Sequence, residues 1–201
     1  MALERGIKVV KFFPAEASGG LSLLASMSAP YSEIKFIPTG GINLNNLTSY
    51  LSNKKVHACG GSWMVKTDLI SSGNFNEITR ITKEAVSIML GFEFAHLGIN
   101  EEDEDKALNS ANQLSHLFYL PIKEGTSSVF VGSGFEVMKN KYLGKHGHIA
   151  IATNDIHRAI TYLKMKGISI LPETKKEKDG KLKTVYLDQE VSGFAIHLLQ
   201  K

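Results

Sequence analysis

Lys11 is the first side chain of the sequence whose type and position could do chemistry. It lies inside the apolar run at residues 7–13, where strand alternation would place it on one face with Val9 and Phe13. An ammonium group on a buried face is costly unless its pKa falls, and a lysine with a lowered pKa attacks carbonyl carbons to form Schiff bases. The same pattern also fits a lysine at the strand edge whose amine reaches solvent.

Two glycine pairs could hold an anion near that lysine. Each pair follows a short apolar segment, so each lies where a strand is predicted to end. Glycines let backbone N–H groups approach a phosphate closely, and in (β/α)8 barrels the loops after the last two strands bind phosphate. Simple turn glycines are the alternative that the spacing leaves open. The pairs and their neighbours are Thr39-Gly40-Gly41 and Gly60-Gly61-Ser62.

Four side chains in the second half could bind one metal ion together. His96 and His148 begin two segments of similar sequence, HLGI and HIAI, and Glu136 and His197 follow two Gly-Phe pairs. Two copies of such a segment, folded face to face, would direct all four side chains to one centre. Imidazoles with one carboxylate suit Fe(II), Mn(II), Ni(II) or Zn(II). Taken singly, each histidine could instead be structural.

The elements that position Lys11 and the glycine pairs are predicted to alternate between strand and helix. The predicted strands are residues 7–13, 33–37 and 55–59. The predicted helices are residues 18–28, 44–51 and 78–90, with Asn43 as the cap of the second. This alternation predicts a parallel α/β sheet with right-handed crossovers.

The second half repeats its own pattern. After each histidine segment come acidic or Asn residues, a helical stretch, a Leu-Pro pair and a Gly-Phe pair. The second copy is longer by a lysine-rich hairpin at Asp179-Gly180, a dipeptide typical of tight turns. Each copy is therefore predicted to fold as strand, helix and three strands. The predicted domains are residues 1–90 and 92–201, joined near Gly91.

The composition indicates which classes of binding partner and which cellular compartment to expect. The 201 residues carry 23 basic and 20 acidic side chains, a net charge of +3 that predicts neither a nucleic-acid nor a membrane partner. Cys59 is the one cysteine, so an intrachain disulfide is excluded. A charged start without an apolar leader predicts a cytoplasmic protein, and no apolar run approaches the about 18 residues of a membrane span.

The first half resembles the 2-keto-3-deoxy-6-phosphogluconate/4-hydroxy-2-oxoglutarate (KDPG/KHG) aldolases. The resemblance rests on three blocks in the family's order: KFFPAE at 11–16, PTGGI at 38–42 and GGSW at 60–63. It implies the last three strands of a (β/α)8 barrel and a class I aldolase. Such an enzyme cleaves a 2-keto-3-deoxy (phospho)sugar acid or 4-hydroxy-2-oxoglutarate to pyruvate and an aldehyde.

This resemblance also implies roles for individual residues. Lys11 would form the Schiff base, Phe13 would pack beside it, and Thr39 would contact the keto acid. The substrate phosphate would be held by Gly40, Gly41, Gly60, Gly61 and Ser62. Because the iminium is the electron sink, no cofactor is implied for this half, and the complete aldolase is implied to be a homo-oligomer.

The first half is too short to form the complete barrel of this family. A closed barrel needs eight strands and about 200 residues, whereas three strands fit before the second half begins. The family's proton-transferring glutamate and substrate-binding arginine lie on earlier strands and have no counterpart here. The sequence therefore predicts the C-terminal part of a longer protein or a displaced start, without aldolase activity unless the missing barrel is supplied.

The second half resembles the vicinal oxygen chelate superfamily, which includes glyoxalase I and extradiol dioxygenases. The resemblance covers residues 92–201 and rests on HLGI at 96–99, GHIA at 147–150 and GFAIHL at 193–198. It implies paired βαβββ modules with metal ligands at His96, Glu136 and His148, and with His197 where glutamate is common. The alternative function is thus a metal-dependent or ligand-binding domain for an unknown small molecule, and a third is a non-catalytic domain serving assembly.

Overall fold

The computed structural model describes residues 2–201. The chain divides into two compact units, one ending at Met89 and the other spanning Leu90–Lys201. Among the described residues, no helix has both the length and the apolar character needed to span a bilayer.

The first unit alternates strands and helices, as its sequence predicts. It contains a parallel pair of strands and four helices, the last of which ends at the boundary of the unit. Their bounds are β1 (Val9–Phe12), α1 (Gly20–Ser28), β2 (Lys35–Pro38), α2 (Leu47–Ser52), α3 (Thr67–Ser71) and α4 (Phe75–Leu90). Short 3-10 turns lie at Leu3–Arg5 and Ser62–Met64.

The third predicted strand, residues 55–59, does not form a continuous ladder. It runs parallel to β2 but joins it only through two isolated bridges, Phe36 with Val56 and Thr39 with Gly60. The backbone hydrogen bonds lie at the two ends of the segment, where His57 N donates to Phe36 O at 2.8 Å and Gly60 N donates to Pro38 O at 3.0 Å. The order and direction of the last three barrel strands are nevertheless preserved.

The second helix begins later than predicted, and Asn43 is not its cap. The helix α2 starts at Leu47, and its N-cap residue is Asn46. The Asn43 side chain instead accepts a hydrogen bond from Asn45 N at 2.9 Å, and Asn46 Oδ1 accepts one from Asn43 N at 2.8 Å. Asparagine side chains that bond to nearby backbone favour turns over helix, so this run delays the helix.

The helices of the first unit cover one face of its strands. Phe12 on β1 and Phe36 on β2 are buried in the core of this unit, together with Leu24 and Leu47 from the helices. Among the described residues, nothing covers the opposite face of β1 in this way, since Lys11 is exposed and Phe13 keeps 65% of its surface exposed. In a closed barrel that face would point to the interior.

The second unit is built from two βαβββ modules on one eight-stranded sheet. The first module contains β3 (Glu93–Asn100), α5 (Glu104–Phe118), β4 (Ile122–Glu124), β5 (Ser128–Val131) and β6 (Phe135–Met138). The second contains β7 (Gly147–Thr153), α6 (Ile156–Met165), β8 (Lys176–Lys178), β9 (Lys181–Val191) and β10 (Phe194–Gln200). The strand order is β4-β5-β6-β3-β7-β10-β9-β8.

The strand register shows that the two modules are equivalent. Within the first, β3 pairs with β6 in parallel, and Gly98 is opposite Glu136. Within the second, β7 pairs with β10 in parallel, and Ala150 is opposite His197. The modules join where β3 and β7 pair antiparallel. This arrangement confirms the predicted fold, a partial barrel segment followed by paired βαβββ modules.

Local sequence signals account for the ends of several elements in the second unit. Asp103 caps α5 by accepting a hydrogen bond from Lys106 N at 2.8 Å, and Asp155 caps α6 in the same way. The turn between β8 and β9 has positive φ at Asp179 (53°) and Gly180 (67°). This backbone is that of the tight hairpin turn that the Asp-Gly pair predicts.

Candidate functional site

Four side chains of the second unit converge on one point. His96 Nε2 lies 3.3 Å from His148 Nε2 and 3.1 Å from Glu136 Oε2, and His148 Nε2 lies 3.2 Å from the same oxygen. His197 completes the group, since its ligand atom and those of the other two histidines lie within 4.8 Å of one another. The structure therefore brings together the four residues that the sequence repeat singles out.

The strand register explains this convergence. His96 on β3 is opposite Ala150, while His148 on β7 is opposite Gly98, so the two histidines occupy diagonal positions on the antiparallel pair. Each neighbouring parallel strand adds one side chain, Glu136 from β6 and His197 from β10. Each module thus contributes two of the four side chains.

Gly98 provides the space that the His148 ring occupies. A Cβ atom at Gly98 would lie 2.1 Å from Cε1 of His148 and 2.3 Å from its Nδ1. No side chain larger than hydrogen fits there while the ring keeps its position. The glycine of the HLGI segment is therefore part of the site, because it allows the central histidine to lie flat against β3.

The carboxylate of Glu136 is held in its charged form. Burial alone would raise its pKa, but hydrogen bonds with His148, His96 and Ser128 hold the pKa of Glu136 far below the ordinary value. Ser128 Oγ donates to Glu136 Oε1 at 2.7 Å, which leaves Oε2 directed at the two histidines. Glu136 is accordingly a fixed anion, which suits a metal ligand better than a proton donor.

His197 is held in its neutral form. Burial, followed by the neighbouring His148 and His96, lowers the pKa of His197 to about 4. Its ring lies 4.8 Å from the ring of Tyr186, centroid to centroid. Burial also raises the pKa of the Tyr186 phenol, and the Glu136 charge adds to this effect. A neutral imidazole has a free nitrogen lone pair, which is what a metal ligand needs.

These residues fit a divalent transition-metal ion. Atoms bound at 2.0–2.2 Å to one ion lie roughly 3 Å apart, which is the spacing between the two histidine nitrogens and the Glu136 oxygen. The three histidines are 8%, 2% and 4% exposed at positions 96, 148 and 197, so water competes little for the donors. Three imidazoles and one carboxylate suit iron, manganese, nickel or zinc.

A cavity of about 420 Å³ opens onto the four side chains. Its wall includes Met138 from the first module, Thr184 and Leu199 from the second, and Tyr142 from the loop that joins the modules. This volume suits a small molecule, since ligand pockets span about 300–1,000 Å³. The cavity gives a bound ligand direct access to the cluster.

The aldolase-type residues of the first unit lie together at the carboxyl ends of the strands. The Lys11 amine lies 5.0 Å from the centre of the Phe13 ring. Phe13 in turn faces Gly40, where an added Cβ would lie 3.0 Å from its ring. Thr39 forms a parallel bridge with Gly60, so the two predicted anion loops are neighbours.

The glycines of the two predicted phosphate loops pack closely against neighbouring side chains. Thr39 Oγ1 is buried and without a hydrogen-bond partner, as is Trp63 Nε1. An added Cβ at Gly61 would overlap the Trp63 ring, and one at Gly41 would lie 2.5 Å from Cβ of Glu16. Ser62 begins the 3-10 turn that follows. Glycine is required here for the packing of the protein itself, whether or not an anion binds.

Several residues of the second site carry no signal in the sequence. Ser128 holds Glu136, Tyr186 stacks on His197, and Asn100 binds the backbone of the loop after β6. Ser128 and Tyr186 belong to no repeated segment or motif, and Asn100 is only one of the acidic or Asn residues that follow the first histidine segment. Their contacts cross from one strand or loop to another, so they become visible only with the strand pairing.

Known proteins are similar in sequence to the first unit. Residues 1–81 match the family model for KDPG and KHG aldolases. The chain is 48% identical over 88 residues to the 2-dehydro-3-deoxy-phosphogluconate aldolase of Treponema pallidum, an alignment that covers 44% of this chain and 42% of that protein. The predicted relationship of the first half to these lyases is confirmed. The chain spans about two fifths of the length of the curated relatives it matches.

Solved structures are similar to parts of the chain. The KDPG aldolase of Legionella pneumophila is 38% identical with a TM-score of 0.38, covering 43% of this chain and 40% of that chain. The methylmalonyl-CoA epimerase of Mycobacterium tuberculosis is 14% identical with a TM-score of 0.42, covering 53% of this chain and 86% of that chain.

Proposed function

We propose that the first unit carries the Schiff-base portion of a KDPG/KHG-type aldolase site. In this reaction the Lys11 amine adds to the keto carbon of the substrate to give a carbinolamine, whose hydroxyl leaves as water to form an iminium. The substrate is a 2-keto-3-deoxy (phospho)sugar acid or 4-hydroxy-2-oxoglutarate, and the products are pyruvate and an aldehyde. The match of residues 1–81 to the family model, a stretch that contains Lys11 and both glycine pairs, is the observation that carries this proposal.

The proposal includes a requirement for further barrel strands. A nucleophilic lysine needs a desolvated surrounding, whereas the described residues leave Lys11 exposed beside Phe13. The unit has two regular strands and one bridged segment, and a closed barrel has eight. We therefore expect the site to act only when the remaining strands cover this face.

Borohydride trapping with pyruvate tests both parts. The chain by itself is expected to give no reduced pyruvate adduct on Lys11 by mass spectrometry and no turnover in a coupled pyruvate assay. A hybrid with residues 1–90 placed behind the N-terminal part of the Treponema pallidum aldolase is expected to be labelled at Lys11.

Two variants of the hybrid provide the control. Lys11→Arg is expected to abolish labelling, and Lys8→Arg is expected to preserve it, because Lys8 pairs with Glu33 at 3.2 Å on the surface. Labelling with turnover in the chain alone would refute the requirement for added strands. A folded hybrid that is not labelled would refute the role of Lys11.

A second candidate function belongs to the second unit. We propose that this unit is a metal-dependent domain acting on a small molecule, on the observation that His96, Glu136, His148 and His197 converge on a cavity. A divalent ion held there supplies Lewis acidity for an oxygen of a bound ligand. Glu136 would anchor the ion, and the three imidazoles would complete its coordination. Chemistry that needs a glutamate base at position 197 is disfavoured, because that residue is histidine.

Metal analysis tests this second function. Protein purified without a chelating tag is expected to contain about one iron, manganese, nickel or zinc ion per chain by mass spectrometry of the elements. Dialysis against a chelator should remove the ion and lower the melting temperature, because the ion binds only the folded state. Protein that stays metal-free after incubation with each of these ions contradicts the proposal.

A further inference from the structure

We infer that the cavity of the second unit binds a small dianion, one end of which meets the His/Glu cluster while the other is held by Lys141 and Lys176. This inference deepens the second proposed function and rests on it. It assigns the chemical class of the ligand, which neither the fold nor the four cluster residues define.

The charges of the cavity wall favour an anion. Lys141 and Lys176 both line the cavity, and Glu136 is the only carboxylate among the described residues of its wall. That carboxylate is already engaged by Ser128 and the two histidines. The uncommitted charge of the wall is therefore positive, and a divalent ion in the cluster would add to it.

The two lysines come from different modules. Lys141 follows β6, at the end of the first module, and Lys176 begins β8 in the second. The cluster is likewise shared between the modules. A ligand that reaches from the cluster to both amines therefore contacts both halves of the sheet.

The loop that carries Lys141 is fixed to the sheet. Asn100 Nδ2 donates to Tyr142 O at 3.1 Å and to Gly144 O at 2.9 Å. Asn100 Oδ1 accepts from Tyr142 N at 3.3 Å. These three bonds hold the loop to β3, whose residue His96 belongs to the cluster. A loop held in this way positions its lysine with less loss of entropy on binding than a free one.

The lysine amines are available to a ligand. Lys141 Nζ is 3.7 Å from Glu102 Oε1, a long contact between side chains that are 66% and 57% exposed. Glu102 bonds more closely to Lys106, and this bond holds the pKa of Glu102 below its usual value. The Lys176 amine pairs with no carboxylate among residues 2–201. Both amines can therefore turn to an anion in the cavity.

The aromatic wall completes the binding site. The rings of Tyr142 and Tyr186 meet edge to face at 5.6 Å, and Tyr186 also lies against His197. Both tyrosine side chains line the cavity together with the cluster and the two lysines. They give the carbon chain of a ligand an apolar surface, with Ser127 and Asn140 available for hydrogen bonds.

Calorimetric titration with two matched probes tests the inference. The probes are 2-oxoglutarate and 2-oxoglutaramate, which share the 2-oxo acid end. The distal group is a carboxylate in the first probe and a neutral amide in the second. We expect the metal-loaded protein to bind 2-oxoglutarate about fivefold to 25-fold more tightly, since each of the two exposed ion pairs contributes up to about 1 kcal/mol.

Substitutions assign this preference to the lysines. Lys141→Gln and Lys176→Gln should each weaken 2-oxoglutarate binding about fivefold, without changing binding of the amide or the metal content. Glu102→Gln should strengthen it, because the competing partner of Lys141 is removed. Lys164→Gln is the matched control, because Lys164 lies exposed on α6 and outside the cavity wall, and should change nothing.

The outcomes separate this inference from the proposed function. Metal uptake with no binding of either probe, or with binding that ignores both lysines, overturns the inference and leaves the metal function intact. No metal uptake, but lysine-dependent binding of 2-oxoglutarate, overturns the metal function and supports the anion site. Loss of binding in the Lys164→Gln control would also overturn the assignment to the cavity.

Discussion

The His148→Ala variant is expected to lose metal binding, with an affinity at least about 100-fold lower than that of the unaltered protein. Loss of a residue that merely orients a ligand already costs about 10–100-fold, and His148 is itself a candidate ligand at the centre of the cluster. Its Nε2 atom contacts both His96 at 3.3 Å and Glu136 at 3.2 Å. Metal titration followed by calorimetry would measure the change.

Two further variants make this result specific. His146→Ala changes a histidine just before the same strand, whose ring packs on Phe194 outside the cavity wall. This variant should keep full metal affinity. His96→Ala provides a second removal if the buried His148→Ala protein unfolds, as judged by circular dichroism. Full metal affinity in a folded His148→Ala or His96→Ala protein would contradict the assigned site.

A single methyl group at Gly98 is expected to disable the same centre. In Gly98→Ala the new Cβ would lie 2.1 to 2.4 Å from three atoms of the His148 ring, so the ring must leave its position. Overpacking of a buried site costs about 1–3 kcal/mol of unfolding free energy. We expect the metal affinity to fall at least about tenfold, because the displaced ring no longer meets His96 and Glu136.

Gly134 offers a matched control for that substitution. An added Cβ there meets nothing within 4 Å, and its φ lies outside the range that favours glycine. Gly134→Ala, between β5 and β6, should therefore leave the melting temperature and the metal affinity close to their original values. Equal metal affinity in the Gly98→Ala and Gly134→Ala proteins would show that His148 does not need the space at Gly98.

The sequence predicts most of the fold because its local signals agree with the tertiary structure. Strand alternation around Lys11 and the repeat of HLGI as HIAI correctly indicate β1, β3 and β7. The sequence misplaces the start of α2, since the side chains of the Asn43–Asn46 turn compete with helix formation. It also predicts a full third strand at residues 55–59, where the structure has only a bridged segment. Whether a segment forms a continuous ladder depends on its hydrogen bonds with β2 and not on its own residues alone.

The two candidate sites differ in how much of each can be predicted from the sequence. The repeat indicates His96, Glu136, His148 and His197 as a group, and the structure places them together. It does not indicate the residues that hold them, because Ser128 and Tyr186 act through contacts across strands. For Lys11, alternation gives the correct face of β1, but burial of that face depends on neighbours that the described residues do not include.

The strand register makes Glu136 the counterpart of His197, opposite Gly98 in one module and Ala150 in the other. A centre with identical residues at these two positions would present the same pair of donors on each side of its pseudo-twofold axis. A bound molecule could then enter in either of two equivalent poses. One anionic and one neutral donor make the two poses unequal in energy. A ligand with unlike ends therefore has one preferred binding orientation.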